Sequence, residues 1–201
     1  MKTNYIEVLK QRRSRYVLKK ESPLTIDEIN GLVKDIVLHT PTAFNSQTAR
    51  VVLLFGKEHD ALWDITTEEL RKIVNDEKAF ASTLAKMKMF KEAFGTVLYF
   101  EDQDIVKDLQ AKYPLYKDSF TEWSIQSTAM VQLGIWNAFA ENGLGASLQH
   151  YNPIIDEQVM KRYNILSNWK LTAQMPFGVA NIPDTEKQFS DINNRVKVLG
   201  N

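Results

Sequence analysis

The stretch Ser119–Glu141, SFTEWSIQSTAMVQLGIWNAFAE, is nearly free of helix breakers and is apolar on more than one face, through Trp123, Ile125, Met130, Val131, Leu133, Ile135, Trp136 and Phe139. At 1.5 Å per residue it predicts a helix roughly 30 Å long and buried on most sides. In a chain of 201 residues such a helix is a core axis or a dimer interface. Asn142-Gly143 ends it. Leu144 to Gln149 then reads as a strand, and Asn152-Pro153 reads as the start of a helix, with asparagine as cap, proline at the first helical position and Asp156 and Glu157 in the first turn.

The segments on either side fit a sheet packed against this helix. Val51-Val52-Leu53-Leu54-Phe55, closed by Gly56, and Val97-Leu98-Tyr99-Phe100, ended by Glu101-Asp102, are short apolar runs of the kind that form buried strands. Trp169, Leu171, Ala173 and Met175 alternate with polar neighbours and predict a strand with one buried face, and Val196 and Val198 offer one more near the end of the chain. Helices are expected over 3–11, from the capping box Thr25-Ile26-Asp27-Glu28 to the residue before Pro41, over 58–75, near 79–93, and around Ile105, Val106 and Leu109. Strands interleaved with helices make the class α+β. No linker or repeat stands out, so residues 1–201 are expected to form one domain.

Composition narrows the function. Lys plus Arg and Asp plus Glu number 25 each, so no long-range field favours nucleic acid or an anionic membrane surface. Without cysteine there is no disulfide, thiolate metal site or cysteine nucleophile, and any redox chemistry needs a cofactor. The polar, basic Met1 to Arg15 lacks the apolar core of a signal peptide, and no stretch of about 18 apolar residues follows. A soluble cytoplasmic protein is the expectation.

Four polar features are candidates for chemistry. Arg12-Arg13-Ser14-Arg15 reads either as solvated charge after a helix or as an anion trap, since guanidinium forks match phosphate oxygens and a serine hydroxyl adds a donor. The loop Pro41-Thr42-Ala43-Phe44-Asn45-Ser46-Gln47 is either turn-forming or suited to a neutral polar ligand, because its amides donate and accept at once. In Leu148-Gln149-His150-Tyr151-Asn152, His150 has no HxH, HxxxH or HExxH spacing, so it reads as a structural or auxiliary residue rather than a metal ligand. The fourth feature is the basic pair Arg195 and Lys197. Neither GxGxxG nor GxxxxGKS occurs, so neither a Rossmann site nor a Walker loop is visible.

In this order and spacing the features resemble the FMN-dependent nitroreductase family. The RRS element is Arg12-Arg13-Ser14, the P-[ST]-x-x-N-x-Q loop is Pro41 to Gln47, and the basic pair near the end is Arg195 with Lys197. The wording LQHYNP at Leu148 to Pro153 is similar to the small branch typified by the yeast fatty-acid-repression-mutant protein. The resemblance implies an antiparallel or mixed sheet flanked by helices, and an intertwined homodimer with FMN at the interface. It assigns Arg12, Arg13, Ser14 and Arg195 to the phosphate and proximal ribityl, with Lys197 and Tyr16 at the same site. Thr42, Ala43, Phe44, Asn45 and Gln47 would come from the opposite subunit, and Gln149 and His150 would lie beside the flavin N5 edge. Relatives carry a glutamate and a glycine there, and a lysine two residues after the serine; here His150, Tyr151 and Tyr16 stand in those places, and Arg15 is the substitute cation. The implied activity is transfer from NADH or NADPH to small, flat, electron-poor aromatic acceptors such as nitroaromatics or quinones, by a ping-pong mechanism with no obligatory protein acid. The alternative is a flavin-binding regulatory or stress-response protein with little turnover.

Overall fold

The computed structural model describes residues 4–74, 76–181 and 186–200. The first helix, α1 (Tyr5–Gln11), is capped by the Asn4 side chain, which accepts from the Ile6 N–H. The short strand β1 (Leu18–Lys19) follows, a pairing too brief to leave a pattern in the sequence. In α2 (Ile26–His39) the capping box forms as expected: Thr25 accepts from the Glu28 N–H while the Glu28 carboxylate accepts from the Thr25 N–H.

Next come β2 (Ala49–Phe55), α3 (Gly56–Ile73), α4 (Glu77–Lys91), β3 (Gly95–Asp102), α5 (Gln103–Lys112) and the long α6 (Lys117–Glu141). The chain closes through β4 (Gly145–Ala146), α7 (Asp156–Tyr163) and β5 (Trp169–Ala180). The sheet order is β1-β5-β3-β2 with β4 also paired to β5, and every strand pair is antiparallel. The fold is therefore an antiparallel sheet with helices on both faces.

The two faces follow the period of two. Val97 and Tyr99 on β3 point toward Ile29 and Val33 of α2 and Val131, Ile135 and Phe139 of α6. Leu98 and Phe100 point the other way, toward Leu62 and Trp63 of α3, Met87 and Phe90 of α4 and Val159 of α7. Gly134 lets α2 lie close on α6, since a Cβ there would sit 2.8 Å from Ile36 Cγ2.

Four expectations are corrected. First, β5 has two buried faces rather than one. Its register shifts opposite Tyr99 and Phe100, leaving Thr172 as the extra residue, so Leu171 faces the α3 side while Ala173, Met175 and Phe177 face α6. The Thr172 hydroxyl donates to the Tyr99 carbonyl at 3.0 Å and so closes the bulge. Second, β3 runs on through Glu101 and Asp102, because Asp102 is paired with Arg50 and Asn168 and Glu101 is hydrogen-bonded to Ser124 of α6. Third, the segment after α6 pairs only at β4 and at an isolated bridge between Gln149 and Gln174, and α7 begins at Asp156 rather than at Pro153, with residues 152–155 spent in turns. Fourth, Val196 and Val198 belong to no strand. They are exposed in a tail whose only regular element among the described residues is the 3₁₀ turn Ile192–Asn194.

Behind the sheet, His59 is fixed in one neutral tautomer. Its Nε2 lies 3.2 Å from the Lys91 carbonyl, which can only accept, so the proton is on Nε2 and Nδ1 accepts from the Thr96 hydroxyl at 2.8 Å. Trp63 Nε1 donates to the same hydroxyl oxygen. Burial lowers the His59 pKa from the usual 6.5 to about 4. The unfolded chain then takes up this proton first, so the stability is intact above pH 6.5 and is lost as the pH falls toward 4. At 1.36 kcal/mol per unit this is about 3 kcal/mol. Urea unfolding between pH 7 and 4 should show that loss, and His59→Gln should flatten it; equal slopes for the two proteins would contradict the assignment.

Candidate functional site

The segment after α1 is laid across the end of the sheet. Ser14 forms a parallel bridge with Ala146, and the Arg15 N–H donates to the Ala146 carbonyl at 2.9 Å. Gly145 permits this approach, because a Cβ there would meet Arg15 Cβ and Cγ at 2.9 Å. Arg12 closes α1, donating its N–H to the Val8 carbonyl, and its guanidinium lies over the Trp136 ring, 4.5 Å from the centroid. Its Nε is buried with no hydrogen-bond partner among the described residues. Burial, and then the charge of Arg13, lower its pKa from the ordinary value. A buried donor left without an acceptor beside a second cation is a local arrangement that an anion would complete. Tyr16 is exposed just beyond.

Three residues along the chain from Ala146 is the turn that carries Gln149 and His150. Gln149 exchanges both backbone hydrogen bonds with Gln174, and its side-chain amide donates to the Ser147 hydroxyl. The Gln174 side chain, fully buried, accepts from the Tyr151 N–H at 2.8 Å and donates to Asn152 Oδ1 at 3.4 Å. One strand residue thus fixes the turn, and His150 is left exposed at the mouth of a cavity of about 290 Å³ that also reaches Glu101. The Tyr151 ring packs against Trp63, and burial pushes its pKa up to about 12.

The polar loop Thr42 to Gln47 is held by different contacts. Phe44, Asn45 and Gln47 all have positive φ, near 50 to 56°, a conformation that costs side-chain-bearing residues of order 1 kcal/mol or more each. Offsetting this, the Phe44 ring sits among Tyr113, Tyr116, Phe120 and Trp123, stacked on Trp123 with an interplanar angle of 14°. Gln47 donates its N–H to Thr42 Oγ1, and Arg50 donates to the Gln47 carbonyl. Thr42 and Gln47 line a cavity of about 1040 Å³ together with Val33, Arg50, Val51 and Trp169.

Within one chain the structure brings Arg12, Arg13, Ser14 and Tyr16 to the strand that leads into Gln149 and His150. It does not bring Thr42, Ala43, Phe44, Asn45 and Gln47 to them. The loop packs on α6 at Phe120 and Trp123, whereas Arg12 packs on Trp136, thirteen residues or roughly 20 Å further along that helix. Arg195 and Lys197 lie exposed in the tail. Sequence reasoning passed over Trp136, Gln174 and Glu101 as site residues. Gln174 read as one of the polar neighbours that alternate along β5 and Glu101 as the end of β3, so neither carried a distinct signal, and Trp136 read as core.

A model of the nitroreductase family matches residues 9–179. The chain belongs to the nitroreductase family. FRM2, a nitroreductase of Saccharomyces cerevisiae, is 33% identical over 200 residues, covering 97% of this chain and 96% of that protein. The solved nitroreductase CinD of Lactococcus lactis, in complex with nicotinic acid, is 43% identical, with a TM-score of 0.90 over 98% of this chain and 100% of that one. A nitroreductase-fold protein of Exiguobacterium sibiricum, solved in complex with FMN, shares the fold at 12% identity, with a TM-score of 0.72 over 98% and 97% of the two chains. Among the described residues no helix is long and apolar enough to cross a membrane.

If ring packing holds the nitroreductase loop, Phe44→Ala should cost about 2 kcal/mol, from several aromatic contacts each worth about 0.5–1.5 kcal/mol. Phe44→Tyr should cost little. Chemical denaturation of both variants measures this, and a Phe44→Ala loss under about 0.5 kcal/mol would show that the ring does not hold the loop.

Proposed function

We propose that the chain is an FMN-dependent oxidoreductase that takes reducing equivalents from NADH or NADPH and passes them to flat, electron-poor acceptors such as nitroaromatics and quinones. The observation that carries this reading is the anion-ready Arg12, fixed over Trp136 and joined through Ser14 and Ala146 to the Gln149–His150 turn. A phosphate at one end and a planar ring at the other is the chemistry of a flavin mononucleotide. CinD has also been solved with chloramphenicol and 4-nitrophenol, which supports a small aromatic acceptor.

The residues fit such a cofactor. Arg12, Arg13 and Ser14 would hold the phosphate and proximal ribityl, while Gln149 and His150 would flank the ring edge. When bound, the flavin supplies the hydride chemistry, accepting from the nicotinamide and then donating to the acceptor in a ping-pong order. The protein's part is to bind, orient and exclude water.

A second copy of the chain completes the site in this reading. Two α6 helices packed antiparallel would place the Trp123 end of one against the Trp136 end of the other, carrying Thr42, Ala43, Phe44, Asn45 and Gln47 to the partner's Arg12. The uncovered α6 residues Ile125, Met130 and Leu133, and the exposed tail residues Phe189, Ile192, Val196, Val198 and Leu199, are the apolar surface such a homodimer would bury. The tail would bring Arg195 and Lys197 toward the phosphate. The reading also places the protein in the reducing cytoplasm.

The protein incubated with FMN and desalted should stay yellow and bleach when NADH or NADPH is added without oxygen. Arg12→Ala and Arg195→Ala should each weaken FMN binding by about 1.5–3 kcal/mol through the lost charge-assisted bond. Unchanged affinity in both variants would remove the phosphate assignment, and a yellow protein that never bleaches would indicate a flavin-binding regulator instead.

A further inference from the structure

Glu101 stands out as a buried carboxyl with an unmet hydrogen-bonding need. It is 2% exposed, on β3, between the sheet and α6. Oε2 accepts from the Ser124 hydroxyl, while Oε1 has no hydrogen-bond partner among the described residues. The side chain borders the cavity of about 290 Å³ whose mouth is formed by His150 and Asn152. The walls combine apolar surface from Ile125, Ala129 and Leu171 with the polar groups of Gln103, Thr121, Thr128, Gln132 and Thr172. At roughly 30 Å³ per molecule the space accommodates several hydrogen-bonded waters.

The charges around it are few. Lys170, directly across from Glu101 on β5, is exposed at the cavity edge, and His150 is the other titratable wall residue; α6 contributes only neutral side chains. Asp102, next on the strand, is engaged by Arg50 and Asn168. Burial raises the Glu101 pKa, against the lowering effects of the Ser124 and Thr128 hydroxyls and of Lys170.

We propose that Glu101 is an internal proton store that supplies the acceptor through the waters of this cavity and His150. The inference rests on the reading above, which puts the acceptor beside His150. Reduction of a nitro group to nitroso by one hydride equivalent consumes one proton and releases water, and reduction of a quinone to its hydroquinone by one hydride consumes one proton. Hydride transfer out of the nicotinamide releases none, so each turnover needs one proton that NADH does not carry. With the acceptor stacked beside His150, the cavity behind that residue would offer a path from Glu101 to the acceptor edge. The carboxyl O–H of Glu101 breaks, the proton passes to the acceptor oxygen, and Glu101 regains a proton from solvent between turnovers. In this role Glu101 acts through His150 and is a positioning and relay residue.

The test uses Glu101→Gln, with Ser124→Ala as a second variant. In the flavin-free protein labelled with ¹³C at the glutamate carboxyls, one signal should titrate above the ordinary glutamate range, vanish in Glu101→Gln and move higher in Ser124→Ala, because the carboxylate loses a donor. In stopped flow, reduction of the flavin by NADH should be unchanged in Glu101→Gln. Reoxidation by 4-nitrophenol or a quinone should slow about a hundredfold and lose its decline at high pH, a decline that should shift upward in Ser124→Ala. A Glu101 signal in the ordinary range, or an acceptor half-reaction with unchanged rate and pH profile, overturns the relay while leaving the flavin reading intact. A protein that takes up no flavin overturns both.

Discussion

The structure depends on one packing contact, the seating of α6 on the sheet through Val131, Ile135 and Phe139, with the Phe139 ring 4.5 Å from that of Phe177. These buried side chains are each worth roughly 1.5–3 kcal/mol by transfer from water, and they fix both the depth and the direction of the helix. Everything functional is then referred to it. Trp136 toward one end supports Arg12, while toward the other end the adjacent Trp123 and Ser124 receive Phe44 and hold Glu101.

That arrangement explains why a long helix with so many apolar residues is only half satisfied by its own chain. Ser124, Ser127 and Thr128 are buried while Ile125, Met130 and Leu133 are not, an inversion of the usual pattern. In the proposed dimer the inversion disappears: Ser124 and Thr128 serve Glu101 and its cavity, Ser127 bonds back to the Trp123 carbonyl, and Met130 and Leu133 serve a second α6. The strained Phe44–Gln47 loop fits the same reading, since an aromatic cage holds its amides in a fixed geometry before any ligand arrives.

Much of the fold was legible because its signals are local. The capping box at Thr25, the apolar runs of β2 and β3 and the unbroken α6 each announce themselves within a few residues. The bulge at Thr172 did not, because strict alternation in sequence hides a change of register that only pairing with β3 reveals. Nor did the turn at Asn152-Pro153, where a favourable helix-start composition is overruled by the buried Gln174 that ties the backbone down. At the site, Arg12, Ser14, Gln149 and His150 were readable as a set by family resemblance, and the structure brings their backbone segments together. The parts that resemblance did not supply, Trp136, Gln174 and Glu101, are ordinary residues made important by position.

The central claim is that one site is assembled from two chains, and subunit mixing tests it most directly. Arg12→Ala and a loop variant such as Asn45→Ala should each bind FMN poorly alone. Mixed in equal amounts and allowed to exchange subunits, they should recover wild-type affinity in about a quarter of all sites, since half the dimers would be hybrids with one intact site each. No recovery on mixing, with exchange verified by mass spectrometry, would contradict the shared site and return both sets of residues to separate roles in one chain.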